Sequence, residues 1–284
     1  MSGGKPRAAP IARRLAEQAG IDLDSLTGTG PSGRIVRADV EAAVRTDHSG
    51  GAAAALTGAR AVPMTRTQAT IAKRMEAAKS NVPEFVVARE LDAGPLLALR
   101  AELREAGLEP PPSLNDLIVR AVALTLREHP ELNASHAAGE ILLRDRVNVG
   151  IAVAAERSLL VPTLFDADQM ALTTIAAEAR RLAAAARDGT ISAGELEGGT
   201  FTVSNLGGFG ATRFVAIVNE PQAAILAVGA AVPGALVDPA GELVPGHRIE
   251  LTLTADHRIV YGAEAARFLA SLAERLAAPA ELAA

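Results

Sequence analysis

Leu251 to Leu269, LTLTADHRIVYGAEAARFL, decides how the chain folds. Its first part alternates apolar and small polar residues, the two-residue period of a strand, and its last part places Ala265, Ala266, Phe268 and Leu269 at helical spacing. His257 stands between the two. A histidine where a strand runs out into a turn is held by a rigid element while its ring faces open space, which is what a general base requires.

Outward from this stretch, the order of elements reads as mixed α/β. Helices are expected over Thr67 to Ser80, Pro95 to Ala106, Leu114 to Glu128 and Thr173 to Gly189. Strands are expected over Val82 to Asp92, Ile141 to Ala154, Thr200 to Leu206, Ala223 to Ala230 and Arg248 to Thr254. Several strands lie close together in sequence, so the sheet is not expected to be purely parallel. Gly207-Gly208-Phe209-Gly210 follows a strand but leads into another strand-like run rather than a helix, which excludes a dinucleotide fingerprint.

The N-terminal part is a separate small unit. Pro10 opens a helix in which Ile11, Leu15 and Ala19 recur with helical period, and Gly20 ends it. The loop TGTGPSGRI then leads to a helix from Arg37 to Val44 with Asp39 in its first turn. A unit of this size builds little core and suits an adaptor better than an enzyme. The division is therefore residues 8–44 as adaptor, 45–60 as a Gly/Ala-rich flexible linker that includes His48, and 61–284 as the large domain.

Composition narrows the chemistry. The chain has 284 residues, 49% hydrophobic and 21% charged, with a net charge of −5 and only 2% aromatics, which excludes a basic, base-stacking nucleic-acid surface. No cysteine is present, so there is no disulfide and no cysteine nucleophile, and any thiol chemistry belongs to a substrate. No apolar run reaches membrane-spanning length and MSGGKPRAAP carries no signal-peptide core, so a cytoplasmic location is the default expectation. His129, His136 and His247 lack a carboxylate cluster at ligand spacing, and no metal site is expected. His129 is placed at the end of a helix, His136 and His247 in loops.

Five strings together resemble one family. Asp256-His257-Arg258 followed by Gly262 and an Ala-rich helix resembles the signature of the dihydrolipoamide acyltransferases, the E2 cores of 2-oxo acid dehydrogenase complexes. HPELNAS (129–135), VGIAVAAERSLLVPTLFDAD (149–168) and GGTFTVSNLGGFGATRFVAIVNEPQAAILAVG (198–229) match the same catalytic domain in order, and ARRLAEQAGIDLDSLTGTGPSGRIVRADV resembles its peripheral subunit-binding domain. The resemblance implies a chloramphenicol acetyltransferase-like catalytic domain behind a small all-α subunit-binding domain. It implies coenzyme A as cosubstrate, His257 as general base and Ser204, in TVSNLGG, as donor to the oxyanion. It further implies a homotrimer or higher multiple with the active site between subunits, and docking of dehydrogenase partners through Arg13, Arg14 and Arg34.

In the family an aspartate follows the histidine by four residues and pairs with an arginine, while a main-chain carbonyl fixes the imidazole tautomer. Here Tyr261, the only tyrosine, takes the aspartate's place; Arg74 is the matching arginine, and Asp256 is the acid that could substitute. No lipoyl segment stands ahead of the adaptor. These two departures lead to a first expectation of a stand-alone enzyme that moves an acyl group from acyl-CoA to a hydroxyl of a small or carrier-bound acceptor, as in natural-product assembly. The alternatives are an E2 core that acylates dihydrolipoyl groups supplied in trans, and a non-catalytic scaffold.

Overall fold

The structure, a computed structural model, describes residues 8–19, 21–50, 60–155, 158–238 and 240–283. Two compact units divide at residues 63 and 64.

In the first unit, α1 (Pro10–Ala19) and α2 (Arg37–Gly50) enclose a core of Ala12, Ala16, Ile35 and Val40. Small residues four apart let the helices approach, so the buried stripe is Ala12 and Ala16, whereas Ile11, one of the apolar residues of the helical repeat, is 66% exposed. Asp39 ties the loop to α2 by accepting from Thr29 Oγ1 (2.6 Å), Thr29 N (3.0 Å) and Val36 N (2.9 Å). These hydrogen bonds, that from the Thr29 hydroxyl foremost, hold its carboxyl below the usual carboxylate range. The loop leaves no room at Gly28, where a Cβ would meet the Gly33 carbonyl oxygen at 2.5 Å. Helix α2 runs on to Gly50, six residues into the stretch expected to be linker. Residues 51–59 lie outside the described residues.

The second unit runs α3 (Arg66–Asn81), β1 (Glu84–Asp92), α4 (Gly94–Glu105), α5 (Leu114–Glu128), β2 (Ala134–Ala137), β3 (Glu140–Leu143), β4 (Val149–Ile151), β5 (Val153–Ala155), β6 (Ser158–Leu160), β7 (Thr163–Leu164), α6 (Leu172–Asp188), β8 (Phe201–Asn205), β9 (Ala224–Val228), β10 (Val232–Val237), β11 (Leu243–Asp256) and α7 (Gly262–Ala277). The main sheet has the order β1-β11-β9-β8-β4-β7, with β10 also on β11. Only β4/β8 and β8/β9 are parallel, so the sheet is mixed, as expected. Two further hairpins, β2/β3 and β5/β6, stand apart.

One face of the main sheet packs on the helices. Leu251, Leu253 and Ala255 of β11, Leu226 and Val228 of β9 and Phe201 and Val203 of β8 join Leu117, Val122, Phe268 and Leu272 in one core. The alternate residues, among them Ser204, Ala227, Thr252 and Thr254, occupy the opposite face. The single long strand expected over Ile141 to Ala154 is three pieces. Asn133 Nδ2 takes the carbonyls of Arg144 (2.9 Å) and Arg146 (3.0 Å), which draws that segment off any ladder. The strand-like run after Gly210 forms no strand either, because both edges of β8 are already taken by β4 and β9.

Candidate active site

His257 is the first residue beyond the β1/β11 ladder, whose last pair is Glu84 with Asp256. Its backbone N–H donates to the Pro83 carbonyl at 3.0 Å. The turn that carries it closes on Asp256 twice. The Asp256 carbonyl accepts from Ile259 N (3.0 Å) and Val260 N (2.9 Å), and its carboxylate accepts from Arg258 N at 2.9 Å, Arg258 Nε at 3.0 Å and Arg258 Nη2 at 2.7 Å. Asp256 is 2% exposed, so the two-pronged guanidinium contact meets most of what burial of that charge demands. The pairing in turn raises the Arg258 guanidinium above its ordinary value.

The His257 side chain is exposed and has two rings against it. Phe85 approaches with centroids 4.6 Å apart at 58°, and Tyr261 meets it edge-on at 5.6 Å and 75°. Neither ring nitrogen has a hydrogen-bond partner among the described residues, so the carbonyl contact implied by resemblance is not formed within the chain; Pro83 meets the backbone of His257 instead of its ring.

Ser204 sits at the far end of the sheet. It is 9% exposed, and its hydroxyl makes no hydrogen bond among the described residues. Asn205 and Gly207 set the turn beyond it. Asn205 Oδ1 accepts from Gly207 N (2.8 Å), Asn205 Nδ2 donates to Asn115 of α5 (3.0 Å), and a Cβ at Gly207 would strike the Gly229 carbonyl oxygen at 2.7 Å. The hydroxyl therefore stands on a stretch of backbone fixed on both sides.

The register shows how far apart the two groups are. Ser204 pairs with Ala227, and Ala227 with Thr252, which is five positions before His257. Two strand spacings across and five residues along place the two Cα atoms roughly 15–20 Å apart in one chain. Surface cavities of about 480 and 520 Å³ are lined by neither residue.

Arg74 is exposed, lines the second of these cavities and forms no ion pair among the described residues. The expectation that Asp256 replaces the family aspartate as its partner is thus corrected: Asp256 is taken by Arg258. Arg13, Arg14 and Arg34 are all exposed. His136 and His247 lie in β2 and β11 rather than in loops. His129 ends α5, its ring 3.0 Å from Ser271 Oγ. No group of three metal-ligating side chains and no membrane-length apolar helix occurs among the described residues.

The family profile of the 2-oxoacid dehydrogenases acyltransferase (catalytic domain) matches residues 57–284, and that of the E3 binding domain matches residues 6–41. The chain belongs to this acyltransferase family. The chain is 39% identical over 285 residues to the dihydrolipoyllysine-residue acetyltransferase component 3 of the mitochondrial pyruvate dehydrogenase complex of Arabidopsis thaliana, with 94% of this chain and 52% of the relative covered. It spans about half the length of that relative.

Among solved structures, it is similar to the cubic core of a pyruvate dehydrogenase multienzyme complex, with TM-score 0.74, 34% identity and coverage of 79% and 93% of the two chains. The dihydrolipoamide acetyltransferase of Azotobacter vinelandii gives TM-score 0.74 at 33% identity, with the same coverage. A serine, a histidine and an asparagine have been investigated in the catalytic mechanism of that enzyme.

Sequence reasoning missed Phe85. Its signal was present, because a β1 that pairs antiparallel with β11 must put its first residues beside the last residues of β11, but the pairing itself is not written in either strand.

Proposed function

We propose that this chain is the acyltransferase core component of a 2-oxo acid dehydrogenase complex, moving an acyl group between coenzyme A and a dihydrolipoyl thiol, with His257 as base and Ser204 as oxyanion donor. In the direction towards acyl-CoA, the imidazole takes the proton of the coenzyme A thiol and the thiolate attacks the thioester carbonyl. The Ser204 hydroxyl donates to the oxyanion that forms. Collapse breaks the bond to the dihydrolipoyl sulfur, which takes the proton back from the imidazolium, so atoms and charge balance and no cysteine is needed.

The observation that carries this reading is the location of both groups at opposite ends of one sheet, in a chain matched to the family over residues 57–284. Each stands on a fixed stretch of backbone, and neither can reach the other's substrate atom in one chain. A site completed by a second copy meets that geometry, and the likeness to a cubic multienzyme core supports an assembly of trimers.

The first expectation, a stand-alone enzyme with an alcohol acceptor, is not supported. The relatives are dihydrolipoyllysine-residue acetyltransferases, and they extend well past the stretch matched here, so the missing lipoyl segment no longer argues for it. The variant position argues for it no better. In the Azotobacter enzyme the investigated asparagine follows the histidine by four positions and the serine precedes it by 52; here Tyr261 follows His257 by four and Ser204 precedes it by 53. An acid there is not a fixed feature of the enzymes.

The test is acetyl transfer from acetyl-CoA to dihydrolipoamide and, separately, to a panel of alcohols. Acylation of dihydrolipoamide that His257→Ala abolishes supports the reading; turnover with alcohols alone overturns it. The exposed Arg13, Arg14 and Arg34, inside the matched E3 binding segment, support docking of a dihydrolipoyl dehydrogenase. Reversing Arg14 and Arg34 to Glu is expected to abolish co-elution with that dehydrogenase.

A further inference from the structure

From the packing around His257 we infer that Tyr261 is a positioning residue, whose ring, together with Phe85, holds the imidazole in its working orientation. The inference rests on His257 being the base. Three observations carry it. The ring nitrogens of His257 have no hydrogen-bond partner among the described residues, so within the chain nothing polar selects a χ1 or χ2 well. Two rings do touch it, Phe85 at 4.6 Å and Tyr261 at 5.6 Å, in tilted and edge-on arrangements that aromatic pairs favour. And the chain has only seven rings of the Phe/Tyr type, six Phe and one Tyr, of which two stand against this one exposed histidine.

The backbone under Tyr261 is fixed independently of its side chain. Its N–H donates to Glu264 Oε2 at 2.8 Å, and its carbonyl accepts from Ala265 N at 3.0 Å, so the residue starts α7 at a set point beyond the turn that Asp256 and Arg258 close. Turn and helix start place His257 and Tyr261 four positions apart on facing sides of one loop. The phenol hydroxyl takes no hydrogen bond among the described residues and the side chain is largely solvated, Tyr261 being 56% exposed. What the ring offers His257 is a surface. Rings from β1 and from the start of α7 against the exposed imidazole restrict the rotamers open to it while leaving it accessible to a thiol.

This role separates ring from hydroxyl, and the test uses that separation on the full-length protein in its native assembly. Tyr261→Phe keeps the ring, and is expected to retain at least about half of the wild-type kcat for acetyl transfer to dihydrolipoamide. Tyr261→Ala removes it, and kcat is expected to fall about tenfold through misplacement of the base, with KM for both substrates within about twofold. A readout that needs no turnover is carbethoxylation of His257 by diethyl pyrocarbonate, followed by peptide mass spectrometry. The Ala variant is expected to react about threefold faster than wild type as one ring face is uncovered, and the Phe variant at the wild-type rate. Phe85→Leu is expected to act in the same direction as Tyr261→Ala. A Tyr261→Ala enzyme with wild-type kcat, a Tyr261→Phe enzyme as impaired as the Ala variant, or equal carbethoxylation of all three overturns the inference. Should the wild-type protein transfer no acyl group at all, the functional reading fails, while the carbethoxylation rates still decide the packing.

Discussion

The two ends of the sheet hold their functional side chains by different means. At the Ser204 end the sheet ladder does most of the fixing: a parallel strand bonded on both edges, a turn clamped by the Asn205 side chain, and a hydroxyl on a 9% exposed residue. At the His257 end the ladder has run out, and side chains take over, with a buried ion pair under the turn and two rings against an exposed imidazole. The difference suits the roles proposed for the two groups. An oxyanion donor is effective in proportion to how little it moves, whereas a base must meet a mobile thiol and exchange a proton with it.

The largest effect that tests this comparison is removal of the proposed base. His257→Ala is expected to lower kcat by about 10²–10⁴, the usual range for a general base, and Ser204→Ala by about 10²–10³, the range for one oxyanion donor, both without unfolding as judged by circular dichroism. A sharper test exploits the separation of the two ends. If serine and histidine of one site come from different chains, then co-assembling the two inactive variants in equal amounts frees a site of both substitutions with probability one half times one half. About a quarter of wild-type activity is then expected in the mixed oligomer, and none if each chain carries its own complete site.

The next effect is smaller and falls on the turn alone. Asp256→Asn leaves the Arg258 guanidinium without its carboxylate and removes the charge that closes the His257 turn. Asp256 is buried but Arg258 is 31% exposed at its side chain, so solvent compensates part of the loss, and about 1–3 kcal/mol of stability is expected to go. Activity is expected to fall further than stability, by about tenfold, because the proposed base rides on that turn. Urea unfolding and kcat measured on the same preparation separate the two.

How far the sequence carries a reader differs between the same two ends. Leu114–Glu128 was legible to the residue, since Ser113 and Asp116 cap its start and apolar residues repeat to its end. The His257 turn was legible as strand, turn and helix from one string. Ile141 to Ala154 was not, because local alternation cannot reveal that the Asn133 side chain captures two of its carbonyls. Ile11 misled for a related reason: α1 turns Ala12 and Ala16 towards Ile35 and Val40, and that face is set by packing beyond the helix itself. The distance from Ser204 to His257 is a property of strand order and register, and no single segment encodes it.

The smallest expected effect lies in the N-terminal unit, which like the His257 turn depends on one carboxylate closing a loop. Asp39 differs from Asp256 in being bonded by a hydroxyl and two main-chain N–H groups rather than by a guanidinium, and in facing solvent. Its pKa is lowered in the folded unit, so the stabilisation it gives is complete above the unfolded carboxylate value of about 4 and fades as pH falls through the lower folded value. Protection of the Thr29 and Val36 amides from hydrogen exchange, corrected for the intrinsic rate, is therefore expected to stay constant from neutral pH down to about 5 and to fall below about 4. Asp39→Asn should lower that protection at neutral pH and flatten the dependence, because an amide oxygen can still accept but carries no proton-linked charge. A pH profile unchanged by the substitution would show that loop geometry, and not the carboxylate, keeps these amides closed.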